Sequence, residues 1–374
     1  MKNYCYLLFL PVLMFASCVQ DTEDLRIYYF PQDEYAVLEQ TLNIPNQRVE
    51  FRQDFPSFVG SFRNVNSNKA LLGRVLFYDK ELSKTREVSC ASCHHQENGF
   101  ADRVAFSTGI NGQKTVRNSL ALGVNVTQYY GSPSVRLFWD ERASGVPHQS
   151  TETIQNPIEM GMGMEELTDR LATVDYYPIL FKKAYGDTEI TEDRITEALD
   201  NFVNSIGSFE SKFDKEITRH FGNMNPDFAG FTERENRGKA LFASHCQSCH
   251  GNTIFAPFGT ANNGLDLDYE DLGVYAITGH DEDVGKFKIP LLRNIALTAP
   301  YMHDGRFSNL TEVVDHYRTG LQTHDNLDLR LRDTHGNPLK NHFSEQDRDD
   351  LVVFLHTLTD DHLAQIEYLS DPFK

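Results

Sequence analysis

Hydrophobic positions in this chain recur mainly at helical spacing. Ile195, Ala198, Leu199, Phe202, Val203 and Ile206 fall on one face of a 3.6-residue period, and Gly207 follows as a stop. Thr232 with Glu235 makes the pairing of a capping box, which opens a helix carrying Gly238 and Phe242. Asn309 with Glu312 opens another, on which Val313, Val314 and Tyr317 share a face. Ser344 starts the last, with Leu351, Phe354, Leu355 and Leu358 turned inward. Strand-type alternation is sparse, and the Gly-, Pro- and Asn-rich stretches 107–136 and 251–300 read as long loops. The pattern predicts a mostly α protein.

The two ends and the middle organise this pattern. Lys2 precedes an apolar stretch, 6–15, that is too short to span a bilayer. Phe15-Ala16-Ser17-Cys18 then places small residues directly before a cysteine, as in a bacterial lipoprotein signal. Residues 1–17 are expected to be removed and Cys18 to carry lipid, which holds the protein on the periplasmic side or the outer-membrane surface. Residues 18–60 are polar and aromatic without clear periodicity and read as an arm draped over a domain. Beyond them the chain repeats itself loosely. Gly73-Arg74-Val75-Leu76-Phe77 leads into Cys90-Ala91-Ser92-Cys93-His94, and Gly238-Lys239-Ala240-Leu241-Phe242 leads into Cys246-Gln247-Ser248-Cys249-His250. Two related domains are expected, 61–225 and 226–374, divided where Gly, Asn and Pro cluster.

Charge narrows the partners. Asp and Glu number 54 against 35 Lys and Arg, a net charge of −19. Such a surface argues against nucleic acid and suits cationic partners. The six cysteines are fully accounted for: Cys5 leaves with the signal, Cys18 takes lipid, and four sit in the two CxxCH motifs. CxxCH is the attachment signature of c-type haem, with two thiols bound to the haem edge and the histidine on the iron. Two such motifs in one exported chain predict two covalently bound haem c groups. The sixth iron position separates electron carriers from enzymes. Residues 96–147 contain no His and no Met, so local sequence offers the first haem no ordinary sixth ligand. Met302, His303, His316 and Tyr317 follow the second motif as candidates.

Leu137-Phe138-Trp139-Asp140, Arg142-Ala143-Ser144, the run 154–160 and the run 297–306, taken with two CxxCH motifs in order, carry a family resemblance. The chain resembles the bacterial dihaem cytochrome c peroxidases, which include the MauG-type enzymes. That resemblance implies two cytochrome c-like haem domains with a calcium ion between them. It implies that Trp139, the single Trp of the chain, relays electrons between the haems. Gln149 and Glu159 would stand over the open first haem, with Glu159 as general acid and base. Thr153 departs from the family, which usually has proline there. Asn118, Thr298 and the Pro300 carbonyl match calcium ligands. Tyr317, fourteen residues after His303, falls at the distal ligand of the second haem, with Met302 and His303 as the other candidates. The implied function is reduction of hydrogen peroxide with electrons from a small cytochrome or cupredoxin, by a monomer or a homodimer. The alternatives are a MauG-like oxidase of a protein or small molecule, and a dihaem carrier without catalysis.

Overall fold

A computed structural model describes residues 28–51, 64–123, 135–252 and 259–374, so the lipoprotein signal and Cys18 lie outside the described residues. Twelve α-helices occur among them: α1 (Gln32–Thr41), α2 (Ser67–Tyr78), α3 (Val146–Gln155), α4 (Met164–Ala172), α5 (Tyr176–Tyr185), α6 (Glu192–Val203), α7 (Lys212–Arg219), α8 (Glu233–His245), α9 (Gln247–His250), α10 (Tyr275–Thr278), α11 (Leu310–Asp315) and α12 (Glu345–His356). The only sheet among the described residues is a two-residue antiparallel pairing of β1 (Thr260–Ala261) with β2 (Phe287–Lys288). The mostly α expectation holds. Helix starts follow the capping chemistry expected from the sequence: Thr232 and Glu235 bond reciprocally, and Asn309 accepts from the Glu312 amide.

The helices serve two large hydrophobic cores, and a smaller third cluster gathers Val135, Leu137, Ala143, Val146 and Val203. In the first, α2 crosses α6, and Phe77 meets Phe202 with ring centroids 5.1 Å apart. In the second, α8 crosses α12, and Phe242 meets Phe354 at 5.2 Å. Each buried Phe contributes roughly 2 kcal/mol by leaving water. The two crossings share one device. A Cβ on Gly73 would sit 2.0 Å from the Ala198 carbonyl oxygen, and one on Gly238 would sit 2.0 Å from that of Asp350. Only a residue without Cβ lets the backbones approach so closely. The next residue is a buried cation in both halves. Arg74 Nε donates to the Ser370 carbonyl at 2.7 Å, and Lys239 Nζ donates to the Met224 and Pro226 carbonyls at 2.6 and 2.8 Å.

The structure departs from the sequence reading in three places. A ten-residue helix, α1, stands inside the stretch read as unpatterned. Its buried face is Leu38 alone, flanked by the half-buried Tyr35, too little to print a period. The change of core comes at about Gly207, not at 225. Phe213 and Ile217 of α7 already belong to the second core, four residues apart on one face. Finally, the last dozen residues return to the first core, where Leu363 and Leu369 are buried and Phe373 bridges to Leu42.

Candidate functional site

Both CxxCH motifs make the same tight turn. The His94 amide donates to the Cys90 carbonyl at 3.1 Å, and the His250 amide to that of Cys246 at 2.9 Å. First cysteine and histidine therefore lie on one side of the chain. His94 Nδ1 lies 2.8 Å from the Phe100 carbonyl, and His250 Nδ1 lies 2.9 Å from that of Pro290. A carbonyl only accepts, so Nδ1 carries the proton and Nε2 keeps its lone pair. Burial lowers the pKa of both imidazoles, which keeps them neutral.

The four thiols are free, and burial pushes Cys90 and Cys246 up to about 12 and Cys93 up to about 11. A redox CxxC pair needs the opposite shift, toward thiolate. Protonated thiols in an apolar cavity, beside a neutral imidazole with Nε2 free, fit covalently bound haem with a proximal histidine.

Each motif opens on its own cavity. The first, of about 390 Å³, brings Cys90, Cys93 and His94 together with Trp139, Gln149, Thr153 and Glu159. His94 is the sole histidine among its lining residues, and the one methionine, Met160, is a buried core side chain. His148 does not line it; its Nε2 lies 2.9 Å from Glu152 on the exposed side of α3. The second cavity, of about 410 Å³, brings Cys246, Cys249 and His250 together with Met302, His303 and Tyr317. His316 is excluded, its Nε2 held 3.0 Å from the Asn263 carbonyl.

Glu159 is presented by the turn that follows α3. The Asn156 carbonyl accepts from the amides of Glu159, Met160 and Gly161, while Asn156 Oδ1 accepts from Ile158 N at 2.9 Å. Asn156 Nδ2 then donates to Glu159 Oε1 at 2.8 Å. Burial pushes the Glu159 carboxyl pKa up, and the Arg142 guanidinium, Thr153 and Asn156 oppose that rise. Asn156 and Arg142 both lay inside motifs noted in the sequence, yet neither was assigned a role. An Asn-Pro pair just ahead of the carboxylate was the available signal for the turn.

Trp139 lines both cavities. Its Nε1 donates to the Asn118 carbonyl at 2.8 Å, and its own carbonyl accepts from Lys288 N at 2.7 Å. Lys288, which sequence reasoning passed over, is a buried cation on the wall of both cavities, 3.3 Å from Glu141.

Among the candidate ligands of the second centre, His303 stacks on Phe287 at 3.7 Å and meets Trp139 edge-on at 6.5 Å. Met302 Sδ accepts from Asn263 Nδ2 at 3.5 Å. Burial pushes the Tyr317 phenol up to about 12, against the pull of Asn263 beside it.

Asn118, Thr298 and Pro300 line the second cavity together. Asn118 spends Nδ2 on the Val104 and Ala105 carbonyls, which leaves Oδ1 as an unused acceptor among the described residues. Thr298 Oγ1 donates to the Ile295 carbonyl and keeps its lone pairs. These neutral oxygens fit a hard cation such as calcium.

Residues 67–220 match the family model described as di-haem cytochrome c peroxidase. The chain is 32% identical over 301 residues to the cytochrome c551 peroxidase of Nitrosomonas europaea, covering 79% of this chain and 81% of that protein. It is 32% identical over 333 residues to the methylamine utilization protein MauG of Methylorubrum extorquens, covering 82% and 86%. Among solved structures it is similar to a MauG-like protein associated with microbial copper homeostasis, with a TM-score of 0.72, 32% identity, and 85% and 98% of the two chains covered.

Proposed function

The chain belongs to the di-haem cytochrome c peroxidase family, and from that premise we propose that it reduces hydrogen peroxide to water with electrons from a small cytochrome or cupredoxin. The observation that carries this reading is the first cavity, where the Glu159 carboxylate shares one chamber with His94 and no second histidine. Haem iron, when bound, supplies a site for peroxide and a store of oxidising equivalents. The chain supplies the rest. Nε2 of His94 and of His250 is turned out as an iron ligand, and the paired thiols bond to the haem edges. Glu159 takes a proton from one peroxide oxygen and returns it to the other, and Gln149 orients the substrate by hydrogen bonding. Trp139 passes electrons from the second centre to the first. Each turnover consumes one peroxide, two electrons and two protons and yields two waters.

In this reading the two cores are cytochrome c-like domains with a calcium ion at Asn118, Thr298 and Pro300. A lipid on Cys18 holds the protein outside the cytoplasm. Stopped-flow addition of peroxide to the oxidised protein, then turnover with a reduced small cytochrome, tests it. Rapid reaction with two donor electrons consumed per peroxide is expected. Failure to react with peroxide would return the chain to a carrier role.

Tyr317 favours a second reading, a MauG-like oxidase acting on a protein or small molecule. Its ring lines the second cavity, and a phenolate ligand would hold that iron at low potential. Tyr317→Phe is expected to change the spectrum of the second haem, and Tyr317→Met to raise its potential. Optical and EPR spectra with a redox titration check both. An unchanged spectrum in Tyr317→Phe moves the ligand to Met302 or His303.

A further inference from the structure

Lys288 carries a charge that the reaction above leaves without a task. It is the second residue of β2. Phe287 before it turns to one face of the strand and stacks on His303. Lys288 turns to the other, where its Nζ lies 3.3 Å from Glu141 Oε1. Both side chains are sheltered, 6% and 16% exposed. An ammonium group has three hydrogens to donate, and among the described residues Glu141 takes only one of them. That contact is also longer than the roughly 2.7–2.9 Å of a strong charged hydrogen bond. A buried cation with donors to spare calls for a second anion.

Three observations say where that anion sits. Lys288 lines both cavities and Glu141 lines neither, so the carboxylate stands behind the shared wall and the open side of the ammonium faces inward. The arginines of the two walls are already engaged. Arg117, Arg142, Arg293 and Arg330 each give two or more hydrogen bonds to carboxylates or carbonyls, while the Lys288 side chain gives one. Glu141 itself is held at φ 57°, in the left-handed region that resists any residue with a Cβ. The chain therefore bears strain at the residue that supplies the backing carboxylate.

We infer that Lys288 holds a propionate carboxylate of bound haem on its cavity side, with Glu141 balancing its charge from behind. The Lys288 amide donates to the Trp139 carbonyl at 2.7 Å, which fixes the cation on the wall between the two centres. A positive charge there favours the reduced state of the iron, and Glu141 tempers that effect. The inference rests on the haem reading of the cavities and is independent of what the haems do once bound.

The test uses the holoprotein with its covalent haems counted first, in Lys288→Met, Lys288→Arg and Glu141→Gln. Resonance Raman spectra report the propionate bending band, whose frequency rises with hydrogen bonding to the carboxylate, and a redox titration gives the potentials. Lys288→Met is expected to lower that band. It should also lower the potential of the haem concerned by about tenfold in the reduction equilibrium, about 59 mV for one electron. Lys288→Arg, which keeps charge and donors, should retain both. Glu141→Gln should keep the band and raise the potential, because a negative charge is lost while the cation stays in place. A Lys288→Met protein with two haems and an unmoved band overturns the inference and leaves Lys288 a structural partner of Glu141 alone. If Lys288→Met loses haem or does not fold, Glu141→Gln decides, and an unchanged potential there overturns it. A wild-type chain without covalent haem would fell the haem reading first, and this inference with it.

Discussion

Glu159→Gln is expected to lose peroxide turnover by about 10²–10⁴-fold while both haem spectra stay as in the wild type. Breaking the O–O bond heterolytically needs a proton delivered to the departing oxygen. Glu159 is the carboxylate that the turn after α3 holds in the first cavity. Gln149 cannot replace it, because an amide does not exchange protons at neutral pH. The glutamine keeps the size of the side chain and still accepts from Asn156 Nδ2, so the pocket holds its shape. Stability separates a chemical loss from a structural one. Burial raises the Glu159 pKa in the folded state, so the fold favours the protonated form. Its stabilising contribution is present at low pH and is lost as pH rises through the raised pKa. At pH 7 the neutral glutamine should therefore fold at least as stably as the native residue. Stopped-flow kinetics and thermal unfolding at pH 7 and pH 4 check the pair of outcomes, and a mutant as fast as the wild type would move the proton path elsewhere.

Cys246→Ala combined with Cys249→Ala is expected to leave one covalent haem per chain and to abolish turnover with a protein donor. Both thiols open on the second cavity, and Trp139 is part of the wall which that cavity shares with the first. The first centre should still bind cyanide, because its own thiols and His94 belong to the other core. Pyridine haemochrome and intact mass give the count. A wild-type chain with a single haem would remove the basis of the electron path.

Much of this is legible in the sequence, and particular residues show why. α6 and α12 each turn several apolar side chains to one side, and α6, α8 and α12 all begin at a side-chain cap, so their starts are written in the sequence. The CxxCH motifs are local in sequence, as is their chemistry. What escaped depended on distance. α1 is a helix because α5 and the C-terminal strap cover it, not because its own residues alternate. Asn156 is the exception, three residues from Glu159: its role shows in the turn it folds and in its hydrogen bond to that carboxylate. Lys288 sits 147 residues from the Glu141 that pairs it, and no short window of sequence contains both. The early change of core escaped because Gly, Asn and Pro mark a loop at 223–231 without saying which core the preceding helix joins.

The return of the C-terminal strap sets an order in time. Arg74 finds its carbonyl partner at Ser370, 296 residues later, and Gln96, beside the first motif, bonds to the Leu363 carbonyl 267 residues on. During synthesis the first half emerges first, yet its core gains these bonds only when nearly the last residue has been added. Haem attachment at Cys90 and Cys93 therefore meets a half whose core is not yet tied down at Ser370 and Leu363. A chain cut short before Leu363 would lack the contacts that Leu363, Leu369 and the Ser370 carbonyl make to the first core.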